Sequence, residues 1–430
     1  MRTVGRAGAA RCPEYLAVPL ARLSTGAGDS GFTPVNSALE VSVGCTSARS
    51  SACLNAWKTG SRVTTLLVHE WLAPHGGSEN VFEQLGYAFP GSRRLCLWND
   101  AAGRFDGVDE TFLARTPLRR SKALALPVMP LAWSGVKLDG IERIVVSSHA
   151  FAHHLASRAV RQSIPAFAYV HSPARYVWNP ELDTRGQGWG KRQVARAIKP
   201  LDRARTSDQV SYAANSEYVA RRISHAWGRH ADVVYPPVDV RRIRSGSWRT
   251  ELTDREQELL SAIPKDFVFT ASRLVSYKRI DLSIEFAATN ECPLVVAGDG
   301  PERQALEDLA SARGVPVTFL GRVSDPLLFA LYEKSLMFVF LAIEDFGIMP
   351  VEAMASGAPA VVSSAGGARE SVDRLGGGDV LRPGAEPGDM RRAFESACAA
   401  PRGPALANKA EYFANEAFRA RIIEWAQLPE

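Results

Sequence analysis

The sequence predicts an α/β chain built from two parallel sheets, each wrapped by helices, behind an N-terminal stretch with no fold of its own. Three observations carry that prediction. Short apolar runs alternate with helical stretches from Arg62 to about residue 250, and the alternation resumes at Phe267; a repeated strand–helix rhythm produces parallel sheets. A charged stretch at 251–262 separates the two series and reads as a linker helix. At 430 residues the chain is also too long for a single hydrophobic core.

The opening residues differ from all that follows. They are rich in Ala, Gly, Ser and Arg, carry only the acids Glu14, Asp29 and Glu40, and show no sustained apolar periodicity. Such a composition cannot bury enough apolar surface to fold. It fits a transit peptide, and equally a mis-assigned start or an extension without function. The expected organisation is a disordered extension over 1–61, a Rossmann-like domain over 62–250, a second over 251–405, and a helix over 406–430 that packs back across both.

Each element of the first series has a local signal. TTLLVHE reads as a strand, APHGGSEN as its glycine-containing turn and VFEQLGYAF as a helix. IERIVVSSHA and PAFAYVHSPAR are two further strands ending in polar clusters, followed by QVSYAANS and ADVVYPPVD. The second series runs FVFTASRL, a helix near 280–289, PLVVAGDGPE, a helix near 301–313, VTFLGRV, a helix near 325–334, and LMFVFLAIE. Two such halves facing each other leave a cleft lined by the carboxyl ends of both sheets.

The stretch EDFGIMPVE carries the most chemistry. Leu336 to Ile343 is an unbroken apolar run that reads as a buried strand, so Glu344 falls at its carboxyl end. Gly347 breaks the chain and Pro350 suits an early helical position, which puts Glu352 in the first turn of the next helix. In an open parallel sheet this is where ligands bind. Gly347 and the free N–H groups of the helix start can cradle a phosphate, while the two carboxylates can accept hydrogen bonds from hydroxyls. A nucleotide sugar has that layout, with hydroxyls on both sides of a diphosphate. An acidic first turn facing the helix dipole, plus a solvated loop acid, is the alternative. Arg273 and Lys278 in ASRLVSYKRID follow a neighbouring strand and could neutralise a diphosphate without a metal. The GDG of Gly298–Gly300 reads as a turn.

Hydrophobic content of 46% and charged content of 23% are ordinary for a globular chain. No apolar run approaches the roughly 18 residues needed to cross a membrane. The six cysteines are scattered without a CxxC pair, which argues against a zinc site or a disulfide framework and fits a reducing cytosol. The net charge of +5 is clustered: KRQVARAIKPLDRAR holds six cations against Asp202, and Arg119, Arg120 and Lys122 precede ALALPVMPLAW. A solvated helix face and a surface for anionic lipid headgroups are both open. No nucleic-acid motif accompanies the charge.

Taken together, ASRLVSYKRID, VVAGDGPE, FLGRV and EDFGIMPVEAMASGAPAVVSSAGGARE resemble, in order and spacing, the nucleotide-sugar half of retaining glycosyltransferases of family 4, with the GT-B fold. The likeness extends through VHEWLAPHGGSENV, LPVMPLAW, IVVSSHAFAHH, YVHSPARYVWN, AANSEYVARRI and VVYPPVD, and covers roughly 62–425. YVHSPARYVWN is similar to a subgroup common among bacterial polysaccharide and O-antigen mannosyltransferases. The resemblance makes the first half the acceptor side and the second the donor side. It implies that Arg273 and Lys278 hold the diphosphate, that Glu352 binds ribose hydroxyls and that Glu344 contacts the donor sugar. Phe346, Gly347, Ile348 and Met349 would offer backbone N–H groups to sugar and phosphate, and Arg322 and Val323 would meet the base. Gly76 and Gly77 match the loop that approaches the diphosphate from the other half. His149 matches an active-site histidine beside the reacting carbon, and His171 and Arg175 line the acceptor side.

His153 and His154 invite a metal reading, but no acidic partner lies near them in the sequence and the family needs none, so no metal and no cofactor is expected. His69 and Glu70 begin HExx without the second histidine of a zinc protease. The implied reaction is retaining transfer of a hexosyl group, mannosyl from GDP-mannose in the first instance, to a glycan or lipid-linked acceptor in cell-surface polysaccharide synthesis. A cytoplasmic protein with peripheral contact on an anionic membrane is the matching location. A UDP-sugar donor, a sugar-nucleotide epimerase of the same architecture and an inactive carbohydrate-binding partner are the competing readings. An α-glucan phosphorylase would need a cofactor-bearing lysine, for which there is no signature.

Overall fold

The computed structural model describes residues 63–178 and 189–427. The expected extension at 1–61 and Asn179 lie outside the described residues. The first half forms a seven-stranded sheet from β1 (Thr65–His69), β2 (Arg93–Cys96), β3 (Val108–Glu110), β4 (Arg143–Ser148), β5 (Ala166–Val170), β6 (Ser211–Ala214) and β7 (Asp232–Val233). The second forms a six-stranded sheet from β8 (Val268–Ala271), β9 (Leu294–Ala297), β10 (Val317–Gly321), β11 (Met337–Phe340), β12 (Ala360–Ser363) and β13 (Gly378–Leu381). The orders are β3-β2-β1-β4-β5-β6-β7 and β10-β9-β8-β11-β12-β13, and the strand pairs are parallel.

The central strands β1, β4, β5, β8, β9, β11 and β12 are buried on both faces, as parallel strands covered by helices on either side should be. Leu66 and Val68 of β1 join one core and Leu67 the other; Phe269 and Val268 of β8 divide in the same way. Each strand order reverses once, between β1 and β4 and between β8 and β11. At such a reversal the connecting helices diverge to opposite faces and leave a crevice at the carboxyl ends of the strands. The chain thus has two crevices, one per sheet.

The charged linker helix runs Asp254–Ala262, with Thr253 and Glu256 forming a capping box at its start. The last helix, Asn415–Trp425, places Phe418 and Ile422 in the core of the first half beside Leu67, Val81 and Val145. Arg419 reinforces the contact by donating to Gln84 Oε1 at 2.5 Å. Among the described residues no helix is long and apolar enough to cross a membrane.

Two local expectations need correction. The strand expected to reach Ile343 ends at Phe340, because β12 pairs only as far as Phe340↔Val362. Leu341 and Ala342 stay buried without being paired, so the apolar run marks burial rather than strand. The next helix begins at Ile348, which moves Glu352 from its first turn to its second.

Candidate functional site

At the second crevice, the chain leaving β8 forms a short turn, Ser276–Lys278, that delivers Lys278 to Glu344. Lys278 Nζ lies 2.5 Å from Glu344 Oε1. Burial alone would raise the Glu344 pKa, but Lys278 and then Arg175 more than offset it and hold the carboxyl below its ordinary value. Arg273 is exposed, and its guanidinium donates to Tyr277 Oη. The GDG turn braces this loop: Leu274 N donates to the Asp299 carbonyl at 3.0 Å.

Gly347 stands ahead of the helix Ile348–Ala355 with φ of 83°, a left-handed conformation that favours glycine. Phe346 is a core residue, with its ring against Tyr235 and Phe413; Ile348 and Met349 are partly buried beside the same core. Any part for these residues in binding falls to their backbone. Glu352 lies deeper. Burial, followed by the charge of Asp325, pushes its pKa up to about 7 against the opposing effect of the Tyr332 hydroxyl. Arg322 is exposed and Val323 partly buried just beyond β10, at the edge of the sheet.

The first crevice holds histidines. His69 ends β1, His149 follows β4 and His171 follows β5. Ser147 Oγ bridges two of them, 2.9 Å from His69 Nδ1 and 2.8 Å from His171 Nε2. The His149 ring meets Trp71 edge-on at 4.5 Å, and its Nδ1 is buried without a hydrogen-bond partner. Burial lowers all three pKa values, that of His171 to about 3. His149 and His69 are lowered further by neighbouring ring charges and by Lys122. These side chains are neutral at pH 7. Glu70, also buried, accepts from Ala150 N and Ala152 N at 2.9 and 2.7 Å, and so sets the turn that carries His149.

The two halves meet across the cleft. Arg175 comes from the first half, and its Nη2 lies 2.7 Å from Asp345 Oδ2 and 3.4 Å from Glu344 Oε2. Arg222 Nη1 reaches Asp345 Oδ1 at 2.5 Å. Glu370 accepts from Glu217 N and Tyr218 N at 2.8 and 2.9 Å, capping a first-half helix from the second half. In the glycine loop, a Cβ on Gly77 would lie 2.8 Å from Ile348 Cδ1, so the loop lies directly against the helix start of the other half; a Cβ on Gly76 would meet Glu79 Oε2 at 2.1 Å.

One expectation fails here. His153 and His154 do have an acidic partner: Asp202, distant in sequence, lies 3.1 and 2.9 Å from their Nε2 atoms. The helix starts at His153, so His149 is not on its face and joins the other cluster. The three ligand-type groups converge closely enough for a metal. Trp178 Nε1 and Trp227 Nε1 also donate to Asp202 Oδ2, at 2.7 and 2.8 Å, so its oxygens have donors on both sides without one. The arrangement ties four segments of the first half together around a buried anion.

Lys278 and Glu344 thus meet at one crevice, with Arg273 on the loop after β8 and Gly347 and Glu352 following β11, while His149 and His171 meet at the other. The sequence did not disclose His69, Ser147, Asp345, Arg222 or Glu370. His69 and Ser147 had a usable signal, since both lie at the ends of strands flanking the reversal. The other three act across the cleft and leave no local trace.

Residues 253–418 match the family model Glycosyl transferases group 1. They form a group 1 glycosyl transferase domain. The group 1 domain spans the second sheet and every donor-side candidate named above apart from Gly76 and Gly77. An uncharacterized glycosyltransferase of Methanocaldococcus jannaschii is 36% identical over 133 residues, 29% of this chain and 34% of that protein. The GDP-mannose-dependent alpha-(1-6)-phosphatidylinositol monomannoside mannosyltransferase of Mycobacterium tuberculosis is 32% identical over 204 residues, 43% of this chain and 51% of that protein. The chain therefore spans between a third and about half the length of these relatives. HepE of Anabaena, solved in complex with UDP, superposes with a TM-score of 0.56 over 84% of this chain and 98% of that one, at 21% identity. With its two parallel sheets and such neighbours, the chain outside the group 1 domain completes a GT-B fold.

Proposed function

We propose that the chain is a retaining, metal-independent glycosyltransferase that moves a hexosyl group from a nucleotide sugar to a hydroxyl of a glycan or lipid-linked acceptor. The observation that carries this reading is the convergence of Lys278 on Glu344 at the sheet reversal of a group 1 glycosyl transferase domain. Lys278 and Arg273 take the diphosphate, Glu344 the sugar hydroxyls and Glu352 the ribose. Gly347 to Met349 and the Gly76–Gly77 loop bring backbone N–H groups to the phosphates from both sides, and Arg322 and Val323 flank the base.

The reaction is a front-face displacement. The bond between the anomeric carbon and the departing phosphate oxygen breaks as the acceptor oxygen bonds to the same face. The acceptor proton passes to that phosphate oxygen. The cations stabilise the leaving charge, and the neutral wall of His149, His171 and His69 excludes water without adding a charge beside the oxocarbenium-like carbon. Glu344 is engaged by Lys278 and, at 3.4 Å, by Arg175, and its remaining lone pairs accept from the sugar hydroxyls.

GDP-mannose is the favoured donor, in line with the mannosyltransferase relatives, with UDP-sugars next. Thermal-shift measurements with GDP, UDP and ADP test the donor reading, because a ligand that binds only the folded state raises its stability. A shift with GDP exceeding that with UDP is the expected result; no shift with any of the three removes the reading. Incubation of donor without acceptor yields no isomer of the sugar, whereas an epimerase would produce one.

A further inference from the structure

The first crevice contains a chain of hydrogen bonds whose direction has chemical consequences. Ser147 is fully buried on β4, the strand between β1 and β5. Its Oγ lies 2.9 Å from His69 Nδ1 and 2.8 Å from His171 Nε2. A serine hydroxyl has one proton to give, and a neutral imidazole has one N–H and one bare nitrogen. Both rings are neutral, because burial lowers the His69 pKa well below its ordinary value and that of His171 to about 3. If both rings donated to Ser147, its buried O–H would have nothing to receive it. If neither donated, a bare nitrogen would face the lone pairs of Oγ. One ring therefore donates to Ser147, and Ser147 donates to the other. The two rings must then carry their protons on the same nitrogen, both on Nδ1 or both on Nε2.

His69 decides between the two. Hydrogen bonding by the Ser147 backbone favours a proton on the His69 ring. A backbone group with that effect is a carbonyl, which accepts and cannot donate. The His69 Nε2 atom is buried without a hydrogen-bond partner, so the nitrogen that the carbonyl acts on is Nδ1. His69 thus donates from Nδ1 to Ser147, and Ser147 donates onward to His171 Nε2. Which nitrogen of a histidine holds the proton is set by the bond the other makes, and His171 is left with its proton on Nδ1. A free imidazole side chain favours the opposite form.

His171 itself follows β5 at the carboxyl end, where its backbone N–H donates to the Ser148 carbonyl at 2.8 Å, and it is partly exposed. With Nε2 engaged by Ser147, Nδ1 is the nitrogen that can meet a ligand. His149 has no place in the chain: its ring centre is 6.1 Å from that of His171, and its Nδ1 is buried without a partner. We propose that Ser147 and His69 are positioning residues that fix His171 as an N–H donor, its proton on Nδ1, toward the first crevice. Resting on the transferase reading, the ligand of that N–H is an oxygen lone pair of the acceptor, on a hydroxyl other than the attacking one. Because the donor carries no charge, it orients the acceptor without opposing the positive character of the reacting carbon.

Nitrogen–proton NMR of the full chain with isotopically labelled histidine reads the ring tautomers directly. His69→Asn and His171→Asn assign the two signals by their loss. At neutral pH both rings are expected to carry the proton on Nδ1. Ser147→Ala returns His171 to the ordinary Nε2–H form, whereas Ser147→Thr, which keeps the hydroxyl, retains Nδ1–H. A wild-type His171 with its proton on Nε2, or a Ser147→Ala protein that keeps it on Nδ1, overturns the proposal. Even where Ser147→Ala fails to fold, the wild-type tautomer alone decides. Methyl α-mannopyranoside, added with GDP as a source of hydroxyls, is expected to move the His171 Nδ1–H proton resonance downfield; no movement removes a sugar hydroxyl as its ligand. The GDP thermal shift does not depend on the His171 tautomer, so failure of the transferase reading and failure of this chain show separately.

Discussion

The two crevices face each other with opposite chemistry. The wall built on β8 and β11 is charged: Lys278 pairs with Glu344 at its centre, Asp345 lies next in sequence, and Arg273 stands exposed on the loop that carries Lys278. The wall built on β1, β4 and β5 is ring-lined, its three histidines kept neutral by burial. Both arise from the same strand order, so topology supplies a crevice and leaves the chemistry to a few residues at the strand ends. In the transfer proposed above, the difference gives each side of the glycosyl bond its own wall. A leaving diphosphate calls for cations, and a carbon acquiring positive character calls for neighbours without them.

The largest effects are expected from discharging the charged wall. Lys278→Ala or Glu344→Gln lowers turnover by at least about two orders of magnitude, the scale for losing a preorganised charge contact. Steady-state rates with saturating donor check this, and near-normal turnover in both variants would refute the division of labour between the walls.

Next comes the dependence of stability on pH, where the walls differ in sign. Unfolded His171 takes a proton near 6.5, but in the folded protein only at about 3. The unfolded state therefore binds more protons over that window, and stability is lost as pH falls below 6.5, by about 1.4 kcal/mol per unit. Glu352 acts the other way. Its folded value of about 7 exceeds the unfolded 4.5, so stability is lost as pH rises through that range. In thermal melts between pH 5 and pH 8, His171→Asn loses less than wild type on the acid side and Glu352→Gln loses less on the neutral side. Parallel curves for all three proteins would mean that neither group is held as described.

The smallest effect joins the walls. Gly77→Ala places a methyl against Ile348, the flexible end of a side chain, so donor affinity falls by about three- to ten-fold, or roughly 1 kcal/mol. Titration of the nucleotide shift measures it, with unchanged affinity showing that the loop and the helix start do not meet around the ligand.

Sequence reasoning reached the charged wall more completely than the neutral one. Lys278 and Glu344 belong to local patterns, a cation after one strand and an acid after another, and each pattern announces its own place. The β11 boundary was harder, because Leu341 and Ala342 are apolar for reasons of burial and look no different from strand. His69 was read only against a protease motif, and its companionship with His171 depends on Ser147 reaching both across neighbouring strands. Asp202 stands about fifty residues from the histidines it receives, and no periodicity links them. Asp345, Arg222 and Glu370 depend on how the halves close, which is set by contacts between the halves rather than by any local pattern.

The helix Asn415–Trp425 has a consequence for how the chain is made. The first sheet leaves the ribosome well before Phe418 and Ile422, yet those two side chains, both fully buried, complete its core. Domains generally fold in order of synthesis, but here the first half must wait for Phe418 and Ile422 with part of its apolar face open. A nascent chain stalled before Asn415 is thus a client for chaperones, and truncation ahead of Phe418 damages the half farthest away in sequence.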